Sequence, residues 1–131
     1  MRGELAGWHF TIQAVVAEEH AGLLNDPTYL DTFFRELVVL LDMEILVEPN
    51  FAQVPLDPDK LAGDSDDGGV TGTVVITTSH GAIHTWPLRK RFALDVFSCK
   101  AFDESKALGF VCDRLRVVKE CHDFFERPWP V

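Results

Sequence analysis

Apolar and polar residues alternate through the first half of Trp8 to Val16 (WHFTIQAVV), as in a strand whose side chains point in turn to core and solvent. After a loop, Asp26-Pro27 supplies a helix N-cap and a first-turn proline. Leu30, Phe33, Phe34, Leu37, Val38 and Leu41 then recur at helical spacing, which predicts a helix over about Pro27 to Asp42. Glu44 to Glu48 is a short β-type run ended by Pro49-Asn50. The β-branched Val70 to Thr78 (VTGTVVITT) reads as a buried strand. In Phe92 to Cys99 (FALDVFSC), alternation puts Ala93, Asp95, Phe97 and Cys99 on one face and Phe92, Leu94, Val96 and Ser98 on the other. Asp103 caps a second predicted helix with an apolar stripe of Leu108, Val111, Leu115 and Val118, and Cys112 and Cys121 are expected on it. This order predicts an antiparallel or mixed sheet with both helices on one face.

The chain has 131 residues, with 47% hydrophobic and 25% charged, which fits one domain spanning 1–131. No apolar run is long enough to span a bilayer, so no membrane partner is expected. The opening MRGELAGWHF lacks the pattern of a secretory signal, and three irregularly spaced cysteines suit a reducing compartment; the expected location is cytoplasmic. The net charge of −9, with Arg89 to Arg91 as the one basic cluster, argues against nucleic acid and favours a small cationic substrate. Pro55 to Gly69 (PLDPDKLAGDSDDGG) reads as a mobile acidic loop, a solvated insertion rather than a lid or cation site. It lacks the ligand spacing of an EF-hand.

Between Ser79 and Cys99 lie a hydroxyl, two imidazoles, an indole, a carboxylate and a thiol. On a regular strand His80 and His84 share a face from which Ser79 points away, so spacing alone implies no Ser-His pair. His80, His84 and Cys99 are zinc-competent types, but without a CxxC pair or an HExxH motif no metal site is expected. Trp86 is either a stacking platform or turn packing beside Pro87. His9, His20 and His122 have no sequence companions.

GVTGTVVITTSHGAIHTWP followed by DVFSC resembles the processing and active-site region of the bacterial and archaeal S-adenosylmethionine decarboxylases. The similarity extends more weakly through His9 and LLNDPTYLDTFFRELVVLL. The resemblance implies an α/β (α+β) sandwich: a four-stranded, mainly antiparallel sheet with two or more helices on one face. It further implies assembly as a homodimer, or a higher homo-oligomer, with active sites near the subunit interface. It implies self-cleavage between Thr78 and Ser79 into a 1–78 β chain and a 79–131 α chain, by attack of the Ser79 hydroxyl on the Thr78 carbonyl. Ser79 then becomes the pyruvoyl cofactor, a ketone that forms a Schiff base with the substrate amine and accepts the electrons of decarboxylation in polyamine biosynthesis. Thr71 and His84 match positions that assist processing. Cys99 matches the acid that returns a proton to the substrate carbon, a role a thiol can fill because it is protonated at neutral pH. Trp86 is then available to stack on a cationic ligand.

Two positions depart from the family pattern. The residue before the cleaved serine is usually Glu and here is Thr78. The residue after Trp-Pro is usually a Glu that holds the ribose, and here it is Leu88, which accepts no hydrogen bond. The expected activity is therefore a pyruvoyl-dependent decarboxylase acting on S-adenosylmethionine or on a basic amino acid, arginine or ornithine. The alternative is an unprocessed, non-catalytic relative that serves as a ligand-binding or interaction module.

Overall fold

The computed structural model describes residues 6–63 and 66–130. In chain order, its strands and helices are β1 (Ala6–Val16), α1 (Pro27–Leu40), β2 (Ile45–Val54), β3 (Gly69–Ile76), β4 (Ser79–Trp86), β5 (Arg91–Ser98), α2 (Glu104–Arg114) and β6 (Val117–Pro128). The strands form one six-stranded sheet in the order β2-β3-β4-β5-β1-β6, and every neighbouring pair is antiparallel.

Period-two burial sorts the sheet into two faces. Phe10, Ile12, Ala14 and Val16 of β1, Val70, Val74 and Ile76 of β3, Ile83 of β4, and Phe92, Leu94 and Val96 of β5 are buried against the helices. Leu30, Phe33, Phe34, Leu37 and Val38 of α1, Ala107 and Val111 of α2, and Leu115 at the C-terminal cap of α2 complete this one cluster. Both helices therefore cover the same face. Asp26 and Asp103 cap them through bonds to the N–H groups of Tyr29 and Lys106, at 3.2 and 3.1 Å. Among the described residues no helix is long and apolar enough to cross a membrane.

The expected four strands are six. The second helix ends at Arg114 instead of running on to Val118, because Arg116 adopts a left-handed conformation (φ 57°) that turns the chain into β6. Cys121 accordingly lies on a strand, not on a helix face with Cys112. At the other edge β2 continues through Pro49. An edge strand tolerates a missing N–H, and register shifts between Ile45 and Asn50 absorb the distortion.

The acidic segment is tied to the sheet on both sides of residues 64–65, which lie outside the described residues. Arg89 Nε donates to Asp67 Oδ2 at 3.0 Å, and the Arg89 Nη2 group reaches the Gly63 carbonyl at 3.1 Å. Asp67 is wholly buried, and its Oδ1 has no partner among the described residues. Gly68 and Gly69 follow with φ of 99° and 150°, and a Cβ at either would strike the carbonyl of Pro55 or Thr85. Removing Arg89 leaves a buried, uncompensated carboxylate. Since Arg89 is itself partly exposed, Arg89→Ala is expected to cost about 2 kcal/mol and to open the chain at 57–63 and 66–69 to proteolysis, with Asp67→Asn milder.

His122 ties β6 to α2, with Nδ1 2.7 Å from Glu120 and Nε2 3.4 Å from Glu104. The hydrogen bond to Glu120 raises its pKa above the ordinary histidine value, against slight desolvation. A raised folded-state pKa means stabilisation that is complete below about pH 6.5 and lost as pH rises through the folded value. Denaturation at pH 5.5 and pH 8.5 is expected to show wild type losing more stability with rising pH than His122→Gln does.

Candidate active site

Ile76 of β3 pairs directly with Ser79 of β4, so a two-residue turn, Thr77-Thr78, joins the strands. The preferred hairpin turns of this length place residues in the left-handed region, which a β-branched side chain resists. Neither threonine adopts a positive φ, and the turn is instead fastened from outside. Thr77 N–H donates to the Glu44 carbonyl at 3.0 Å, and Cys99 N–H donates to the Thr78 carbonyl at 2.9 Å. The buried Ser98 hydroxyl donates to Thr78 Oγ1 at 2.9 Å and accepts from Lys100 N–H at 2.9 Å.

This network brings Thr78, Ser79 and Cys99 together at one rim of the sheet. Ser79 shares its strand parity with Gly81, Ile83 and Thr85 on the helix-covered side, whereas His80, Ala82, His84 and Trp86 alternate onto the open side. Thr71 and His84 are cross-strand partners, and Thr71 Oγ1 lies 3.2 Å from His84 Nδ1. The two residues that the resemblance assigned to processing are thus in contact with each other but lie away from Ser79. Five residues of strand separate Ser79 from His84, about 16 Å. His80 and His84 share the open side without converging, being about 13 Å apart by the same spacing.

The open face also holds residues to which the sequence assigned no role. His80, Phe97, His9 and Phe125 stand opposite one another across β4, β5, β1 and β6, and the His9 ring lies 5.7 Å from that of Phe97 and 5.2 Å from that of Phe125. His9 Nε2 is 3.0 Å from Asp95 Oδ2. In the next row Asp95, Thr11 and Asp123 align, beside a hollow of about 370 Å³ that also takes in His9 and His84. Alternation alone puts His9 and Asp95 on matching faces of their own strands. Their contact depends on β1 pairing with β5, which periodicity does not encode. Ser98 escaped notice similarly, since its partner lies across the sheet.

A larger cleft of about 870 Å³ lies at the opposite end of the sheet from Ser79, between the tethered acidic segment and the ends of β1, β4, β5 and β6. Trp86 lines it. Leu88 sits half-buried in the Pro87–Arg89 turn that joins β4 to β5, without a polar atom to offer a ligand.

A family model described as S-adenosylmethionine decarboxylase matches residues 9–127. The S-adenosylmethionine decarboxylase proenzyme of Pyrococcus furiosus is 26% identical over 111 residues, covering 84% of this chain and 70% of the relative. That of Thermococcus onnurineus is 27% identical over 114 residues, covering 86% and 71%. That of Pseudomonas aeruginosa is 46% identical over 48 residues, or 36% of this chain and 30% of the relative. The crystal structure of the adenosylmethionine decarboxylase from Aquifex aeolicus superposes with a TM-score of 0.77 over 98% of this chain and 96% of that one, at 18% identity, which establishes a shared fold.

Ser98→Ala removes the donor to Thr78 and the acceptor of Lys100 N–H. The expected cost is about 1–2 kcal/mol in thermal stability, with faster hydrogen exchange at the Lys100 amide. Unchanged exchange at Lys100 would contradict the role given to Ser98.

Proposed function

This chain belongs to the S-adenosylmethionine decarboxylase family, and on that premise we propose that it is a self-processing, pyruvoyl-dependent α-decarboxylase cleaved between Thr78 and Ser79. The observation that carries this reading is the 2.9 Å bond from Cys99 N–H to the Thr78 carbonyl, which polarises the group the Ser79 hydroxyl attacks.

In the proposed processing step, Ser79 Oγ adds to the Thr78 carbonyl carbon, and the charge developing on the oxygen meets the Cys99 N–H. The peptide C–N bond breaks as the ester forms. Elimination across the Cα–Cβ bond of Ser79 releases the Thr78 carboxylate, and water then displaces the nitrogen as ammonia, leaving a ketone on residue 79. That group, once formed, supplies an electron sink for loss of carbon dioxide from an α-amino acid. The chain's own contribution to turnover is a proton delivered from Cys99 Sγ to the substrate carbon.

His84 and Thr71 enter this scheme from a second copy. Ser79 and His84 lie too far apart along one strand to meet, and the open face exposes Val75 (37%), Phe125 (46%) and Val47 (54%) around its aromatic row. A homodimer that stacks open faces covers this apolar surface and carries the His84–Thr71 pair of one subunit toward the Ser79 rim of the other. The carboxylates of Asp95 and Asp123, on either side of Thr11 beside the central hollow, suit a cationic substrate, either S-adenosylmethionine or arginine or ornithine. Leu88 favours the amino acids, which have no ribose to hold.

Intact mass spectrometry is expected to show fragments 1–78 and 79–131, and Ser79→Ala to remain whole. A full-length wild-type species after prolonged incubation would favour the non-catalytic alternative. Co-expression of Ser79→Ala with His84→Ala is expected to restore cleavage of the His84→Ala chain, which stays intact alone; failure to do so rejects the shared site. Cys99→Ala is expected to process yet release carbon dioxide at least about 100-fold more slowly from whichever of the three substrates the wild type accepts.

A further inference from the structure

Three polar residues are buried among those described: Asp67, Thr85 and Ser98. The first is held by Arg89 and the second by the Leu24 carbonyl and the Val70 N–H, both at the end of the sheet remote from Ser79. Ser98 lies at the near end, directly opposite Ser79 in the β4 to β5 register. The bond from Cys99 N–H to the Thr78 carbonyl marks the adjoining pair as the hydrogen-bonded kind. Ser79 and Ser98 are therefore a non-hydrogen-bonded pair, whose Cα atoms approach to about 4.5 Å and whose side chains lie side by side. A buried hydroxyl costs stability unless its bonds are made, so the partners of Ser98 show what it holds.

Ser98 Oγ donates to Thr78 Oγ1 and accepts from Lys100 N–H, each at 2.9 Å. The Lys100 amide polarises the Ser98 O–H and strengthens its bond onward to Thr78. Residue 78 is thereby gripped twice from the end of β5, by its side chain through Ser98 and by its carbonyl oxygen through Cys99. A single bond to the oxygen leaves the carbonyl plane free to turn about it; the second anchor fixes which face of the carbonyl meets Ser79. The Ser79 hydroxyl forms no hydrogen bond among the described residues, so in an attack the electrophile is the fixed partner and the nucleophile the one that rotates.

We propose that Ser98 is a positioning residue for self-cleavage, acting through the Thr78 hydroxyl to hold the scissile carbonyl toward Ser79 Oγ. This role rests on the self-processing reading. It gives the threonine before the cleaved serine a task that its backbone alone does not perform. Small losses of alignment between nucleophile and carbonyl slow an intramolecular attack, because orientation supplies much of its advantage.

The test follows cleavage of the full chain with time after cell-free synthesis, with intact mass spectrometry to count whole and cut species. Ser98→Ala and Thr78→Val, which deletes the hydroxyl and keeps the side-chain shape, are each expected to slow cleavage about 10-fold. If both act through one bond, the double variant is no slower than either single one. Ser98→Thr, which keeps a hydroxyl, is expected to restore most of the rate. Tyr29→Phe is the control for stability alone: it removes the 2.6 Å bond to the Arg114 carbonyl far from the turn, and is expected to melt lower yet cleave at the wild-type rate. Wild-type cleavage in Ser98→Ala overturns the proposal. So does a double variant about 100-fold slower, which would make the two hydroxyls independent, or a Tyr29→Phe chain that melts like Ser98→Ala and is slowed as much. A wild type that stays whole overturns the self-processing reading and this role with it, whereas a wild type that cleaves beside an equally fast Ser98→Ala overturns this role alone.

Discussion

The register of β4 between β3 and β5 is the constraint on which the site depends. Ser79 is held opposite Ile76 on one side and Ser98 on the other, and this places Thr78 within reach of the Cys99 amide. A slip of one residue would send His80 and His84 into the core and Ile83 to the open face, exchanging every side chain between layers. Apolar burial opposes such a slip, and so does one polar residue. Thr85 is buried at the far end of β4; its hydroxyl donates to the Leu24 carbonyl at 2.7 Å and accepts from Val70 N–H at 2.8 Å. Shifted by one position, these groups would lose their partners in a dry interior. A satisfied buried hydroxyl therefore helps set the alignment of a turn at the opposite end of the strand.

That dependence explains how much was legible in the chain. Helix α1 could be read almost to the residue, because its cap, its proline and its apolar stripe are local signals. The separation of Ser79 from His84 followed from alternation. The pairing of His84 with Thr71 is a matter of register and was legible neither from pattern nor from the resemblance, which named both residues without placing them together. His9 with Asp95, and Ser98 with Thr78, went unseen because each joins distant positions across a strand pair. β6 was misread for a different reason: Leu115 and Val118 continue the helical spacing of α2, and only the left-handed Arg116 interrupts it.

The basic run Arg89 to Arg91 shows how three adjacent charges can serve three purposes. Lys90 takes a left-handed conformation (φ 56°) after the Pro87–Arg89 turn, so its neighbours diverge. Arg89 reaches back to the buried Asp67, Lys90 lies 3.5 Å from Glu18, and Arg91 opens β5 on the face of the large cleft. The apparent cluster is a branch point, and its three charges point to three different places.

The two departures from the family pattern then differ in kind. Thr78 changes a side chain next to a bond whose proposed cleavage uses the backbone carbonyl, the Ser79 hydroxyl and the Cys99 amide. The threonine hydroxyl is itself engaged by Ser98, which gives a stiff β-branched side chain a fixed place in the turn. Leu88 removes an acceptor from a position where the family holds its nucleoside, and no nearby group in its turn replaces it, because Arg89 and Lys90 are donors already turned to carboxylates. The first substitution leaves the polarised carbonyl in place, while the second removes a means of recognition. On the proposed function, the Thr78 departure therefore bears on the cleavage turn and the Leu88 departure on what the site selects.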